Sequence, residues 1–233
     1  MHQDVYSDLL HYPVPSDNFD ASYNSVTGER GLRPLTIIDT RVSGDRFEGR
    51  GRGRIADGHL INDLKAHVLN DVLYRIYNNR GDADLSDAII VASPYSDQTE
   101  YLRDYLQQQS RFLSRRGPNI NVLVENIDAL QGSEREIVVI SLTRSNGNNP
   151  PHIGFLSNNG RLNVAFSRPR RLLVIVGDFS TMGYSPIAQN IYNQVVNRAP
   201  GTSLQFFIPR PRQTDDEQYN EMTRIQANHS GTL

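Results

Sequence analysis

Five short runs of this chain consist almost wholly of Val, Ile, Leu and small neutral residues, and they leave few folds open. They are "PLTIIDT" (34–40), "DAIIVAS" (87–93), "NVLVE" (121–125), "IVVISL" (137–142) and "LLVIV" (172–176). Continuous apolar runs of this length, without a polar face, read as strands covered on both sides. The segments between them carry helical periodicity instead. Leu64, Val68, Val72 and Ile76 recur four apart, and Leu102, Tyr105 and Leu106 open a second stripe that ends at Gly117-Pro118. Buried strands alternating with amphipathic helices predict an α/β fold, a mostly parallel sheet with helices on both faces.

Outside these elements the pattern weakens. Residues 1–33 are rich in Pro, Asp, Ser, Asn and Gly and read as an irregular leading segment, and "RVSGDRFEGRGRGR" (41–54) reads as a basic loop with no apolar face. Residues 34–200 form the sheet domain, and 201–233 read as a polar, flexible C-terminal tail. Among 233 residues, 37% are hydrophobic and 21% charged, which suits a globular protein with a sizeable core. With Lys+Arg 24 against Asp+Glu 26 there is no global basic field, so a polyanion site has to be a local patch.

Absent residues narrow the chemistry. There is no cysteine, which excludes disulfides, thiolate metal sites and cysteine nucleophiles. The histidines show no metal-ligand spacing, so no metal site is expected in this chain. No segment approaches the apolar length of a membrane span and no signal peptide opens the chain, so an intracellular protein of nucleus or cytoplasm is expected, without membrane partners.

In open parallel sheets, ligands bind outside the carboxyl ends of the strands. That rule selects Ser93, Pro94 and Tyr95 after one run and Thr143, Arg144, Ser145 and Asn146 after another, groups suited to a sugar-phosphate backbone. Gln98 falls in the first turn of a helix, where free N–H groups and the dipole favour a phosphate. Each residue also has a plain structural reading: Ser-Pro-Tyr as a turn, Gln98 as a solvated helix end, Asp128 as a turn cap.

Taken together, "SPYSDQ" (93–98), "ENIDALQGSEREIVVISLTRSN" (125–146) and "IGFLSNNGRLNVAFSRPRRLLVIVGD" (153–178) resemble, in order and spacing, the second RecA-like motor domain of superfamily 1 helicases, in the subgroup of the nonsense-mediated-decay helicase and senataxin. The resemblance is dense from about 87 to 178. It implies a RecA-like P-loop NTPase fold. It also implies that Asp128, Gln131, Gly132 and Glu134 form the motif linking nucleotide and nucleic acid, with Glu134 near the ribose. Arg168 would then be the arginine finger, its charge directed to the γ-phosphate, with Arg161 close by. Arginine's rigid, permanently charged fork suits phosphate better than lysine does, and a spacing of seven puts Arg161 and Arg168 on one helical face. The plainer reading is that Arg168, Arg170 and Arg171 only complement a helix C-terminus. Pro169 departs from the small residue usual after the finger.

The chain has no G-x-x-x-x-G-K-[ST] and no Walker B carboxylates. ATP with Mg would need a first RecA-like domain to hold the ion, and Met1-His2 resembles the end of the Gln-Tyr-Arg-Met-His run that enters the second domain. The expectation is therefore the C-terminal half of an ATP-dependent RNA or DNA helicase, inactive in hydrolysis alone, supplying the arginine finger and part of a single-strand track. The alternative is a non-catalytic nucleic-acid-binding module of the same fold.

Overall fold

The computed structural model describes residues 32–44, 46–50, 60–80, 88–113, 122–197 and 201–206. Most of the leading segment, most of "GRGRGR", the Gly117-Pro118 helix stop and the chain from 207 onward lie outside them. In chain order the strands are β1 (Leu35–Asp39), β2 (Gly49–Arg50), β3 (Leu60–Ile61), β4 (Ile89–Ser93), β5 (Leu123–Asn126), β6 (Arg135–Leu142), β7 (Pro169–Gly177) and β8 (Thr202–Phe206). The helices are α1 (Asp63–Arg80), α2 (Ser96–Leu113), α3 (Asn159–Phe166), α4 (Phe179–Met182) and α5 (Pro186–Val196), with 3-10 turns at Ile127–Leu130 and Gly154–Ser157.

Six strands form one sheet in the order β5-β4-β6-β7-β1-β8, and every pairing in it is parallel. Successive residues of the apolar runs feed opposite cores, as the two-residue strand period requires. Ile137 and Val139 of β6 join Leu172 and Val174 of β7 under α1 and α2. Val138, Ile140 and Leu142 join Leu173 and Ile175 under the Ile127–Leu130 turn, α3, α4 and α5. Both faces are therefore covered, which is why these strands need no polar side. The helical stripe Leu64, Val68, Val72, Ile76 is buried as its spacing predicted.

Two boundaries move. Thr202–Phe206 is not tail but the outer strand β8, paired in register with β1 from Leu35↔Thr202 to Asp39↔Phe206. Its residues are only half covered, as an edge strand's are, so the apolar signal that marks the central strands is missing there. Gly49 and Arg50, read as loop, pair antiparallel with Leu60 and Ile61 in a two-stranded ribbon.

Chain direction makes two crevices at the carboxyl edge. From β4 the chain passes to the α1/α2 face and from β6 to the opposite face, so the ends of these neighbouring strands part; β1 and β7 part in the same way.

Candidate functional site

Between β4 and β6 the crevice is closed by a buried hydrogen bond of 2.9 Å joining the Ser93 and Thr143 hydroxyls. Below it, Gln98 is fully buried: its Oε1 accepts from the Asn62 amide at 2.6 Å and its Nε2 donates to the Asn62 carbonyl at 3.1 Å. Asp97 accepts from the Leu60 amide at 2.9 Å. The first turn of α2, expected to offer itself to a phosphate, is thus occupied by residues 60–62, because Gln98 gives Asn62 both a donor and an acceptor. Pro94 is buried as well. Tyr95 is half-buried, and its ring end lies where a Cβ on Gly154 would stand, 2.8 Å from Oη; Gly154 has φ +58°, so the close approach and the left-handed backbone both require glycine. Burial pushes the Tyr95 phenol up to about 12, against the lowering field of Arg144, so it stays a neutral donor.

The residues after β6 are held from several sides. Ser145 donates to Asp178 Oδ2 at 2.6 Å and is buried. Arg144 reaches the His152 carbonyl through Nε at 2.9 Å and Glu48 through Nη1 at 3.2 Å. Asn146 donates to the His152 carbonyl at 2.8 Å and to Glu48 at 3.2 Å. The predicted nucleic-acid residues therefore divide. Ser93, Pro94, Gln98, Thr143 and Ser145 build the floor, while Tyr95, Arg144 and Asn146 reach the surface.

The strongest electrostatic feature escaped the sequence reading. Lys65 of α1 is fully buried, and its Nζ donates to the carbonyls of Thr143 at 2.9 Å and Arg144 at 3.1 Å. Burial pulls its pKa down to about 7, opposed by the negative charges of Asp178, Glu48 and Asp39. Asp178 is held below the usual carboxylate range: burial pushes it up, but hydrogen bonds from Ser145 and Ser180 and the Lys65 charge outweigh that. Asp39 moves up, because burial outweighs its contacts with Arg41 and the Phe179 amide. The pairs are layered. Arg41 and Arg46 are 32% and 28% exposed, whereas their partners Asp39 and Asp178 are both 0% exposed. Carboxylates lie inside and guanidinium groups outside, so the β1/β7 crevice presents positive charge to solvent.

A second strip runs along the α3 face. Asp128 lies beyond the carboxyl end of β5, and the chain then crosses back to the amino end of β6, so Glu134 sits at the other edge of the sheet from Asp128. Arg161 clamps Asp128 bidentately, with Nε to Oδ1 at 2.8 Å and Nη2 to Oδ2. Gln131 and Gly132 are exposed at the turn, where Gly132 takes φ +78° with open space around it. Glu134 pairs with Arg170 at 2.9 Å.

Arg161 and Arg168 do not share a helical face. The helix α3 ends at Phe166, Ser167 is its C-cap with φ −92° and ψ 0°, and buried Pro169 opens β7. A proline has no N–H to continue the helix, so the seven-residue spacing does not measure two turns here. Arg168 lies between the two elements, its Nε donating to the Val164 carbonyl at 3.1 Å and its Nη2 to Ser167 Oγ at 2.9 Å. Part of the plainer reading is thus present, since Arg168 touches a helix C-terminus. Arg170 and Arg171 instead meet Glu134 and Glu136. Arg168 has no carboxylate partner among the described residues. Nor do those residues include a cluster of His, Asp and Glu able to hold a metal ion.

Nothing in sequence marked Lys65, Asp39, Asp178, Arg46 or Glu48 as site residues. The one available signal was position: Asp39 and Asp178 each end an apolar run, where a buried strand delivers its next residue to the crevice.

Comparison with known proteins adds the family. The AAA domain family matches residues 3–180. The chain is 30% identical over 149 residues to the DNA polymerase alpha-associated DNA helicase A of Saccharomyces cerevisiae, covering 64% of this chain and 20% of that protein. It is 34% identical over 111 residues to a regulator of nonsense transcripts 1 homolog of Drosophila melanogaster, covering 48% of this chain and 9% of that one. The C-terminal domain of a possible DNA helicase from Lactobacillus plantarum aligns over 83% of this chain and 98% of that domain, with TM-score 0.43 and 13% identity. The chain spans a fifth or less of the length of these two relatives.

Proposed function

The chain belongs to the AAA domain family and is a helicase domain of the superfamily 1 kind, and from that premise we propose that it is the second motor half of an ATP-driven helicase. In this reading the carboxyl edge is part of a single-strand RNA or DNA track. The strip from Asp128 to Arg168 is one wall of an ATP cleft whose other wall, a first RecA-like domain, holds the phosphates and Mg. The setting that goes with this is intracellular, and no described helix is long and apolar enough to cross a membrane.

The residues present fit a nucleotide phosphate in one respect above others: Arg168 is a permanent cation, and among the described residues no carboxylate pairs with it. ATP and Mg supply the phosphoryl group and its charge neutralisation. This chain's part is to place Arg168 beside that charge, keep Arg161 in reach on the Asp128 clamp, and offer Gln131, the Gly132 backbone and Glu134 to the nucleotide's edge.

The observation that carries the nucleic-acid half is the layering of the β1/β7 crevice, with Arg41 and Arg46 outward over buried Asp39 and Asp178. With Arg144 alongside, the edge offers three guanidinium groups to a backbone. The test is fluorescence anisotropy of a labelled single strand against salt. Three phosphate contacts predict that log affinity falls against log salt with a slope of about −2. Absence of binding at low salt, or affinity indifferent to salt, would contradict the track.

A further inference from the structure

We propose that Phe47 forms a stacking platform for an unpaired base of the single strand at the carboxyl edge. The inference rests on the nucleic-acid reading above and adds a contact to bases that the arginines cannot make.

Phe47 is 44% exposed, whereas Phe166 and Phe179 are buried in the core at 1% and 4%. The exposed ring is nevertheless held in place. The Arg46 guanidinium carbon lies 4.2 Å from its centroid, and the ring end lies against Gly147, 3.8 Å from where a Cβ would stand. The next residue, Glu48, donates its amide to the Ser145 carbonyl at 2.9 Å. Arg46 is itself fixed by the Ser43 carbonyl at 3.1 Å and by Asp178 at 3.4 Å. An aromatic ring fixed by charge and backbone, and left half open, gains nothing from the core. It offers a preorganised π-face beside outward guanidinium groups.

Thr181 of α4 braces the same loop. Its hydroxyl accepts from the Asn146 amide at 3.2 Å and donates to the Asn146 carbonyl at 3.3 Å. Gly147 therefore joins the exposed Phe47 ring to the loop that carries Arg144, and Arg46 lies over the ring itself. Positive charge that tracks a backbone, with an open aromatic ring beside it, fits a flexible single strand: bases stack whatever their identity, while a duplex keeps its faces to itself.

The test uses the full chain and a single strand with one 2-aminopurine among ordinary bases, beside the same strand made abasic. The chain quenches 2-aminopurine, and its affinity for the abasic strand is weaker by about 5- to 150-fold, the range of one base–aromatic stack. Phe47→Ala lowers affinity for the ordinary strand by a similar factor and leaves the salt slope unchanged, while Phe47→Trp keeps both. Equal affinity of the unaltered chain for ordinary and abasic strands overturns the proposal, and this outcome does not depend on a variant folding. A Phe47→Ala loss equally large on the abasic strand also overturns it, because the ring then acts by holding the loop. If the unaltered chain binds neither strand at low salt, the nucleic-acid reading fails and the stacking role with it.

Discussion

Replacing Lys65 by methionine keeps the length of the side chain and removes the one titratable ammonium under the carboxyl edge. The folded-state pKa of Lys65 is about 7, against an ordinary lysine value of 10.5. Between these values the unfolded chain binds a proton that the folded chain does not, so stability rises as pH rises through the window. Two protonation curves with these midpoints give a gain on the order of 2 kcal/mol between about pH 7 and about pH 9. The group is fully buried, so solvent screening takes little from this figure. Below about pH 7 both states are charged and the slope vanishes.

The assay is urea unfolding of the unaltered chain and Lys65→Met across that range. Asp178, Glu48, Asp39 and Arg144 also face Lys65, and they remain in both proteins, so the difference between the two curves isolates its proton. The unaltered chain gains stability relative to Lys65→Met as pH rises. Parallel curves would refute the reasoning, because Lys65 would then titrate alike in both states and its burial against the Thr143 and Arg144 carbonyls would not lower its pKa.

Other perturbations test neighbouring parts. Asp178→Asn leaves Lys65 and Arg46 over a neutral group and weakens the Ser145 contact, with an expected loss of about 3 kcal/mol in urea unfolding near neutral pH. Because the Asp178 pKa is depressed, its contribution is present above the ordinary value of 3.8 and lost as pH falls through the lower folded value; Asp178→Asn flattens this acid limb. Gly154→Ala forces φ +58° on a residue with a Cβ and moves the Tyr95 ring end, costing about 1 kcal/mol in thermal or urea unfolding, with weaker single-strand binding. Asp128→Ala breaks an exposed pair and changes stability by less than about 1 kcal/mol, a value that calorimetry can check.

Central strands were legible in the sequence because burial on both faces leaves no polar face on them, and α1 because its stripe is strict. The edge strand β8 was not, since one neighbour and half-covered side chains leave Thr202, Ser203 and Gln205 polar. At the site, the strand-end rule brought forward the surface groups Tyr95 and Arg144, and the resemblance brought forward Asp128, Arg161 and Arg168. It could not say that Gln98 is consumed by Asn62, a contact between residues 36 apart in sequence. Nor could it show that α3 stops before Arg168, although Pro169 gave the local reason. Lys65 was hidden for a different reason: a lysine beside an apolar stripe ordinarily extends to solvent, and only the carbonyls of the strand-end loop turn it inward.

The half-motor account turns on whether Arg168 faces nucleotide. The direct measurement is nucleic-acid-stimulated ATP hydrolysis by one polypeptide that joins this chain to a P-loop-bearing first motor domain, with and without Arg168→Ala. The account predicts that the chain alone hydrolyses no ATP, and that in the joined protein Arg168→Ala lowers turnover by about 10³-fold or more while single-strand affinity at the carboxyl edge is kept. Undiminished turnover in Arg168→Ala would contradict it.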